Sequence, residues 1–144
     1  METPTMGKVL VTAKMENLFD VERREQGLLP SDQVRSVEVA DALVDTGATG
    51  LMLPKRYVQQ LGLRHMRTRQ ARGIGGIVPL PIYSAVRLTI QGRDCSIDVN
   101  EIADELPVLI GQIPLEALDW IVDSKNQRLI GNPEHGGEQM MDVF

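Results

Sequence analysis

Ala42-Leu43-Val44-Asp45-Thr46-Gly47-Ala48-Thr49 is an apolar run that delivers an acid straight into a small, turn-forming triplet. Aliphatic residues of this kind favour a buried strand, and the Asp45-Thr46-Gly47 triplet places a carboxylate where that strand ends and the backbone bends. Gly47 lacks a Cβ, which permits a sharp bend. Thr46 offers a hydroxyl that can tie this turn to a neighbouring one. The reading is of a presented, partly buried acid, and the rest of the chain must show what serves it.

Composition narrows the possibilities. A chain of 144 residues is one domain with a real core. Aromatics are only 3% of it, so that core must be built from Val, Ile, Leu and Met. A net charge of −5 argues against nucleic acid or an anionic membrane as partner. The single cysteine, Cys95, rules out an internal disulfide and fits a reducing compartment. No basic-then-apolar leader opens the sequence, and the apolar stretch from Leu106 to Val122 is broken by Pro107, Pro114, Glu116 and Asp119. A cytoplasmic protein with no membrane partner is the expectation.

In chain order, residues 7–15 read as a first strand and residues 16–33, polar and ending in Pro30-Ser31-Asp32, as a loop. Val34, Val37 and Val39 begin the strand that runs to Asp45, with Asp41 marking a bend. Pro54 and Gly62 bracket a short helix. Residues 64–72 carry Arg64, Arg67, Arg69 and Arg72 and read as an irregular basic segment, more a solvated edge than a recognition patch. Gly73-Ile74-Gly75-Gly76-Ile77 follows, a glycine-rich hairpin tip. Val86, Leu88 and Ile90, then Cys95, Ile97 and Val99, alternate about a Gln91-Gly92 turn and predict a hairpin. Leu106 to Gly111 reads as a second apolar strand ending in glycine, Pro114 to Asp119 as a short helix, and Ile121 to Ile130 as a last hairpin. Strand, glycine turn and short helix thus occur twice, at Ala42–Gly62 and Val108–Trp120, with Gly111-Gln112 where the second copy would carry an acid. Such a duplicated unit lets the second strand pack beside the first turn and hold it rigid. Residues 1–131 form the expected domain; residues 132–144 form a tail read as disordered, as a dimer strand or as a processed peptide.

The acid has several conceivable uses. No His, Cys, Asp or Glu spacing resembles a metal site, so no metal or other cofactor is expected. Nothing resembles a nucleophile elbow, and Gly73-Ile74-Gly75-Gly76 lacks the lysine of a phosphate loop. A carboxylate dyad fits best: two acids about 3 Å apart share one proton, and one can act as base on a water while the other donates to a carbonyl. The chain has only one Asp-Thr-Gly, and Asp123-Ser124-Lys125 lacks the glycine, so the second acid must come from a second copy.

Leu43-Val44-Asp45-Thr46-Gly47-Ala48-Thr49, Gly73-Ile74-Gly75-Gly76 and Val108-Leu109-Ile110-Gly111, in that order, resemble a retropepsin-like aspartic protease over roughly residues 7–131. The Pro54–Gly62 helix is more similar to cellular and bacterial members than to viral ones. The resemblance implies an all-β closed barrel with one or two short helices, a homodimer, and hydrolysis of a peptide or protein substrate by a water held between paired aspartates. Carried over, Asp45 is the catalytic acid and Thr46, Gly47 and Ala48 complete the active-site turn. Thr46 would link the two copies and Gly47 contact substrate backbone. Gly73, Ile74, Gly75, Gly76 and Ile77 would form the flap, and Ile110 and Gly111 the buttress. Viral members pair an acid with an arginine at two positions held here by neutral Thr49 and Gln112.

Two blander readings stand beside this one. Asp45 alone fits an ordinary turn-capping aspartate, and glycines 73–76 an ordinary hairpin. A retropepsin-like fold used to bind peptides without turnover is the rival function. His65, His135, Cys95 and Trp120 read as structural or surface residues.

Overall fold

Strand β1 (Val9–Asn17) buries Val9, Val11, Ala13 and Met15 and turns the residues between them outward. That two-residue period is what a strand with one side on a core requires. In this computed structural model, which describes residues 8–73, 75–141 and 143, β1 is antiparallel to two partners, β2 (Ser36–Val44) and the C-terminal half of β5 (Gly76–Ile90). The sheet order β1-β2-β7-β3-β6-β5 therefore returns to β1 and closes a six-stranded barrel; the remaining strands are β3 (Leu51–Pro54), β6 (Arg93–Ile102) and β7 (Leu109–Ile110). Its interior is aliphatic, with Met15, Leu51, Leu53, Leu88, Ile90, Val99 and Ile110 among the buried side chains. The all-β closed barrel expected from the sequence is present. Closure leaves these strands no free edge.

The Gln91-Gly92 turn lies where the alternation placed it, with φ of 51° and 85°, the positive values a two-residue hairpin turn demands. The bend expected near Asp41 is a register slip: Val11 and Ala13 of β1 face Ala42 and Val39, so β2 carries one extra residue there. A similar slip between Tyr83 and Val86 divides β5 in two. Its C-terminal half belongs to the barrel, and its N-terminal half leaves the barrel paired with β4 (His65–Gly73).

Two segments differ from the sequence reading. Residues 64–72 are not irregular but form most of β4, paired with β5 from His65–Tyr83 to Gly73–Gly76. Nearly every residue of β4 is exposed, so the burial that imprints alternation on a strand is missing, and the ladder alone holds it. Arginines on this outer edge also discourage further strand pairing. Residues 16–33 are not a loop throughout, because Leu18–Glu25 form helix α1 and Ser31–Gln33 a single 3-10 turn. The Asn17 side chain caps α1 by accepting from the Asp20 amide, and its own amide donates to Leu61 O at 2.9 Å. Asp20 in turn receives both Nε and Nη2 of Arg35, at 2.8 and 3.0 Å. Only one apolar side chain of α1, Val21, is buried, which is why no apolar stripe announced it.

Helix α2 (Lys55–Gln60) follows β3 and buries Val58, as expected. Helix α3 (Gln112–Leu118) starts two residues before Pro114, capped by Gly111. Strands β8 (Trp120–Asp123) and β9 (Arg128–Gly131) make a separate two-stranded sheet. Beyond it the chain folds back on α3: Gln139 Nε2 donates to Ala117 O, and the Met140 amide to Asp119 Oδ2. No helix among the described residues is long and apolar enough to cross a membrane.

Candidate active site

Strand β7 is inserted between the two arms that enter and leave the Asp45 turn. It runs parallel to β2, pairing Leu43 with Leu109 and Val44 with Ile110, and antiparallel to β3, pairing Leu51 with Ile110. The next residues in register are Asp45 and Gly111, and the Asp45 amide donates to Ile110 O at 2.9 Å. This is the duplicated unit seen in the sequence: the second strand lies beside the first turn, with glycine where the first has the acid.

The turn is closed locally by two bonds. The Ala48 amide donates to Asp45 O at 3.0 Å, and the Gly47 amide to Asp45 Oδ1, also at 3.0 Å. One carboxylate oxygen is thereby fixed by backbone, which orients the other. Gly47 is not at positive φ, so the backbone freedom of glycine is not what the bend uses. Its missing Cβ matters for space instead: a methyl there would stand 3.2 Å from Asp45 Oδ1.

Downstream, the loop is fastened to the start of α3 by a run of bonds that the sequence did not reveal. The amides of Gly111, Gln112 and Ile113 donate to the carbonyls of Gly50, Ala48 and Thr49, each at 2.9 Å. The first N–H groups of a helix have no partner within it, and here the loop supplies them. Gly111 is buried against this loop so closely that a Cβ would fall 2.5 Å from Gly50 O and 2.6 Å from Ala48 O. Thr49 and Gln112 are not bonded to each other: Thr49 O receives the Ile113 amide, and the Gln112 amide goes to Ala48 O. The Gln112 side chain turns to Glu116, at 3.0 Å. Asn100 of β6 braces the other arm, its Nδ2 donating to Leu51 O at 3.1 Å.

Asp45 is half-buried, and Thr46 and Gly47 are exposed. The Thr46 hydroxyl makes no hydrogen bond to another described residue. Asp123 stands elsewhere, in β8, bound to Asn126 and Arg128 at 2.8 and 3.2 Å. Burial pushes the Cys95 thiol up to about 11, which removes it as a nucleophile at neutral pH.

A groove of about 710 Å³ opens beside the turn. Asp45 does not line it, but the loop it begins does, through Thr49 and Gly50, and so does Ile113 at the start of α3. The opposite wall is the projecting hairpin, which contributes Arg67, Arg69 and Leu80. The hairpin tip holds Gly75 and Gly76 at φ of 93° and 119°, values that favour glycine, with Ile77 68% exposed beside them. Ile74, the other residue assigned to the flap, lies outside the described residues.

A sequence profile described as aspartyl protease matches residues 33–113, from just before β2 to the start of α3. The chain belongs to the aspartyl protease family. The matched stretch contains the Asp45 turn, the projecting hairpin and the β7 insertion, which are the parts of the fold that build the site. No curated protein sequence matches the chain. Within this aspartyl protease fold, Asp45, Gly47, Ala48, Ile110 and Gly111 come together in one bonded cluster with Thr46 between Asp45 and Gly47 in the chain, while Gly73, Gly75, Gly76 and Ile77 stand at the end of the hairpin that walls the groove.

Proposed function

We propose that the protein is an aspartic endopeptidase whose active site is completed by two copies of the chain, each contributing one Asp45. The observation that carries this reading is the way Asp45 is held. Its own amide is tied to a second strand, one carboxylate oxygen to the Gly47 amide within the turn, and the carbonyls of Ala48, Thr49 and Gly50 to a helix end. A surface capping aspartate has no use for that much support, and preorganised groups are what acid–base chemistry needs.

In the proposed reaction the two carboxylates share one proton. The ionised one takes a proton from a water as its oxygen attacks the scissile carbonyl carbon. The protonated one gives its proton to the carbonyl oxygen, leaving a tetrahedral diol. Return of a proton to the amide nitrogen and collapse of the diol break the C–N bond and restore the shared proton. In this reading the Thr46 hydroxyl, which bonds no other described residue, links to the partner's turn, and Gly47 leaves room for substrate backbone. Residues 73–77 serve as the flap, with exposed Ile77 the apolar surface that meets the peptide.

Digestion of a degenerate peptide library tests the reading. The protein should cut it, and Asp45→Asn should lower the rate by roughly three orders of magnitude or more while thermal unfolding stays nearly unchanged. A fold that binds these peptides without cutting any would point instead to a peptide-binding module.

A further inference from the structure

The groove beside the Asp45 loop has a charge opposite to that of the whole chain. Its charged lining residues are Arg67, Arg69 and Asp98, whereas the chain as a whole carries −5. The two arginines are separated by one residue on β4 and so point to the same side of the hairpin. Across the ladder Arg67 faces Ile82 and Arg69 faces Leu80, so each cation stands over an aliphatic side chain that also lines the groove.

Their partners differ. Arg67 Nη2 lies 3.5 Å from Asp98 Oδ2 on β6, and that contact satisfies the one acid in the lining. Arg69 makes no ion pair or hydrogen bond with another described residue. An arginine of this kind, two ladder positions nearer the hairpin tip, presents a planar fork of donors suited to a carboxylate. Ile113, 52% exposed at the other wall, and Met52 add apolar surface for a side-chain stem.

We propose that this groove is a subsite for an acidic substrate side chain, with Arg69 the residue that selects it. This rests on the reading of the protein as a peptide-cleaving enzyme. A Glu side chain would lay its methylenes along Leu80 and Met52 and its carboxylate against Arg69. A Gln of the same length lacks the charge, and a Lys meets repulsion. Arg67 is already engaged by Asp98 and does not make the selection.

The test separates binding from cleavage. Two libraries of short labelled peptides are made, with one fixed position that is Glu in one and Gln in the other, moved through the sequence in turn. Binding is measured to Asp45→Asn by fluorescence anisotropy, and cleavage by the parent enzyme in parallel. At one position the Glu library should bind about fivefold tighter than the Gln library, and rising salt should shrink the difference. Adding Arg69→Gln should bring the ratio to about one, and Arg69→Glu should reverse it so that the Gln library binds tighter. Equal binding of the Glu and Gln libraries at every position, or a preference that survives Arg69→Gln, overturns the subsite. Selective binding with no cleavage by the parent overturns the peptidase and leaves the subsite standing; cleavage without acid preference does the reverse.

Discussion

Asp45 and Gly111 occupy equivalent places at the ends of two parallel strands, and their residue types matter for different reasons. Asp45 supplies the chemistry in the proposed mechanism. Gly111 supplies the absence of a side chain, since two carbonyls of the Asp45 loop occupy the space a Cβ would need. Gly111→Ala should therefore cost about 1–3 kcal/mol in urea unfolding, and should lower activity more than Gly73→Ala, whose new methyl would meet no described atom beyond its chain neighbours within 4 Å. If both variants unfold at the parent's midpoint, the loop is not braced as described. The same glycine letter thus stands for close approach at 111, for positive φ at 75 and 76, and for neither at 73. Nothing in one sequence separates these cases.

Among the elements, α3 has two ends with distinct duties. Its first amides hold the Asp45 loop, and its last residues are held by the tail. Asp119, at φ 57°, receives the Met140 amide at 3.0 Å and lies 2.7 Å from His135 Nδ1, while Arg93 donates to Leu118 O and Asp119 O and stacks on Trp120. The bond from His135, first, and that from the Met140 amide hold the Asp119 carboxyl below its ordinary value of 3.8. A depressed folded pKa stabilises the fold above the unfolded value and ceases to do so as pH falls through the folded one. The stability lost in Asp119→Asn should thus be present at neutral pH and fade as the solution is acidified below about pH 4. Urea midpoints of parent and variant across that range measure it; a gap that widens in acid would contradict the assignment.

The elements also show what a sequence can reveal. Strands that bury one face, β1, the barrel half of β5 and β6, are legible because burial writes a two-residue period into them. The β2–turn and β7–turn pair is legible because it is a repeated pattern. The edge strand β4 and the helix α1 are not, since β4 buries almost nothing and α1 buries Val21 and an acid paired with Arg35. The bonds from residues 111–113 to residues 48–50 are invisible for another reason: they are made by backbone, which has no letter. The groove arginines were visible as residues, but their common facing depends on β4 being a strand.

At the scale of the whole molecule, the barrel solves one problem and leaves another open. Closing six strands buries the aliphatic core and builds a rigid seat for one carboxylate. The proposed chemistry needs two, and a two-fold pair of chains is the arrangement in which a single turn is used twice. Thr46 is exposed, and its hydroxyl makes no hydrogen bond to another described residue, so in the proposed pair it is available to the partner's turn. Activity per chain should then fall on dilution as pairs dissociate.

The most direct measurement mixes parent protein with Asp45→Asn at constant total concentration, allows the chains to exchange, and follows cleavage against the parent fraction. If two Asp45 carboxylates make one site, activity follows the square of that fraction, so an equal mixture retains about a quarter of the full rate. A straight line, with about half the rate at the midpoint, would mean that each chain works alone and would contradict the shared site.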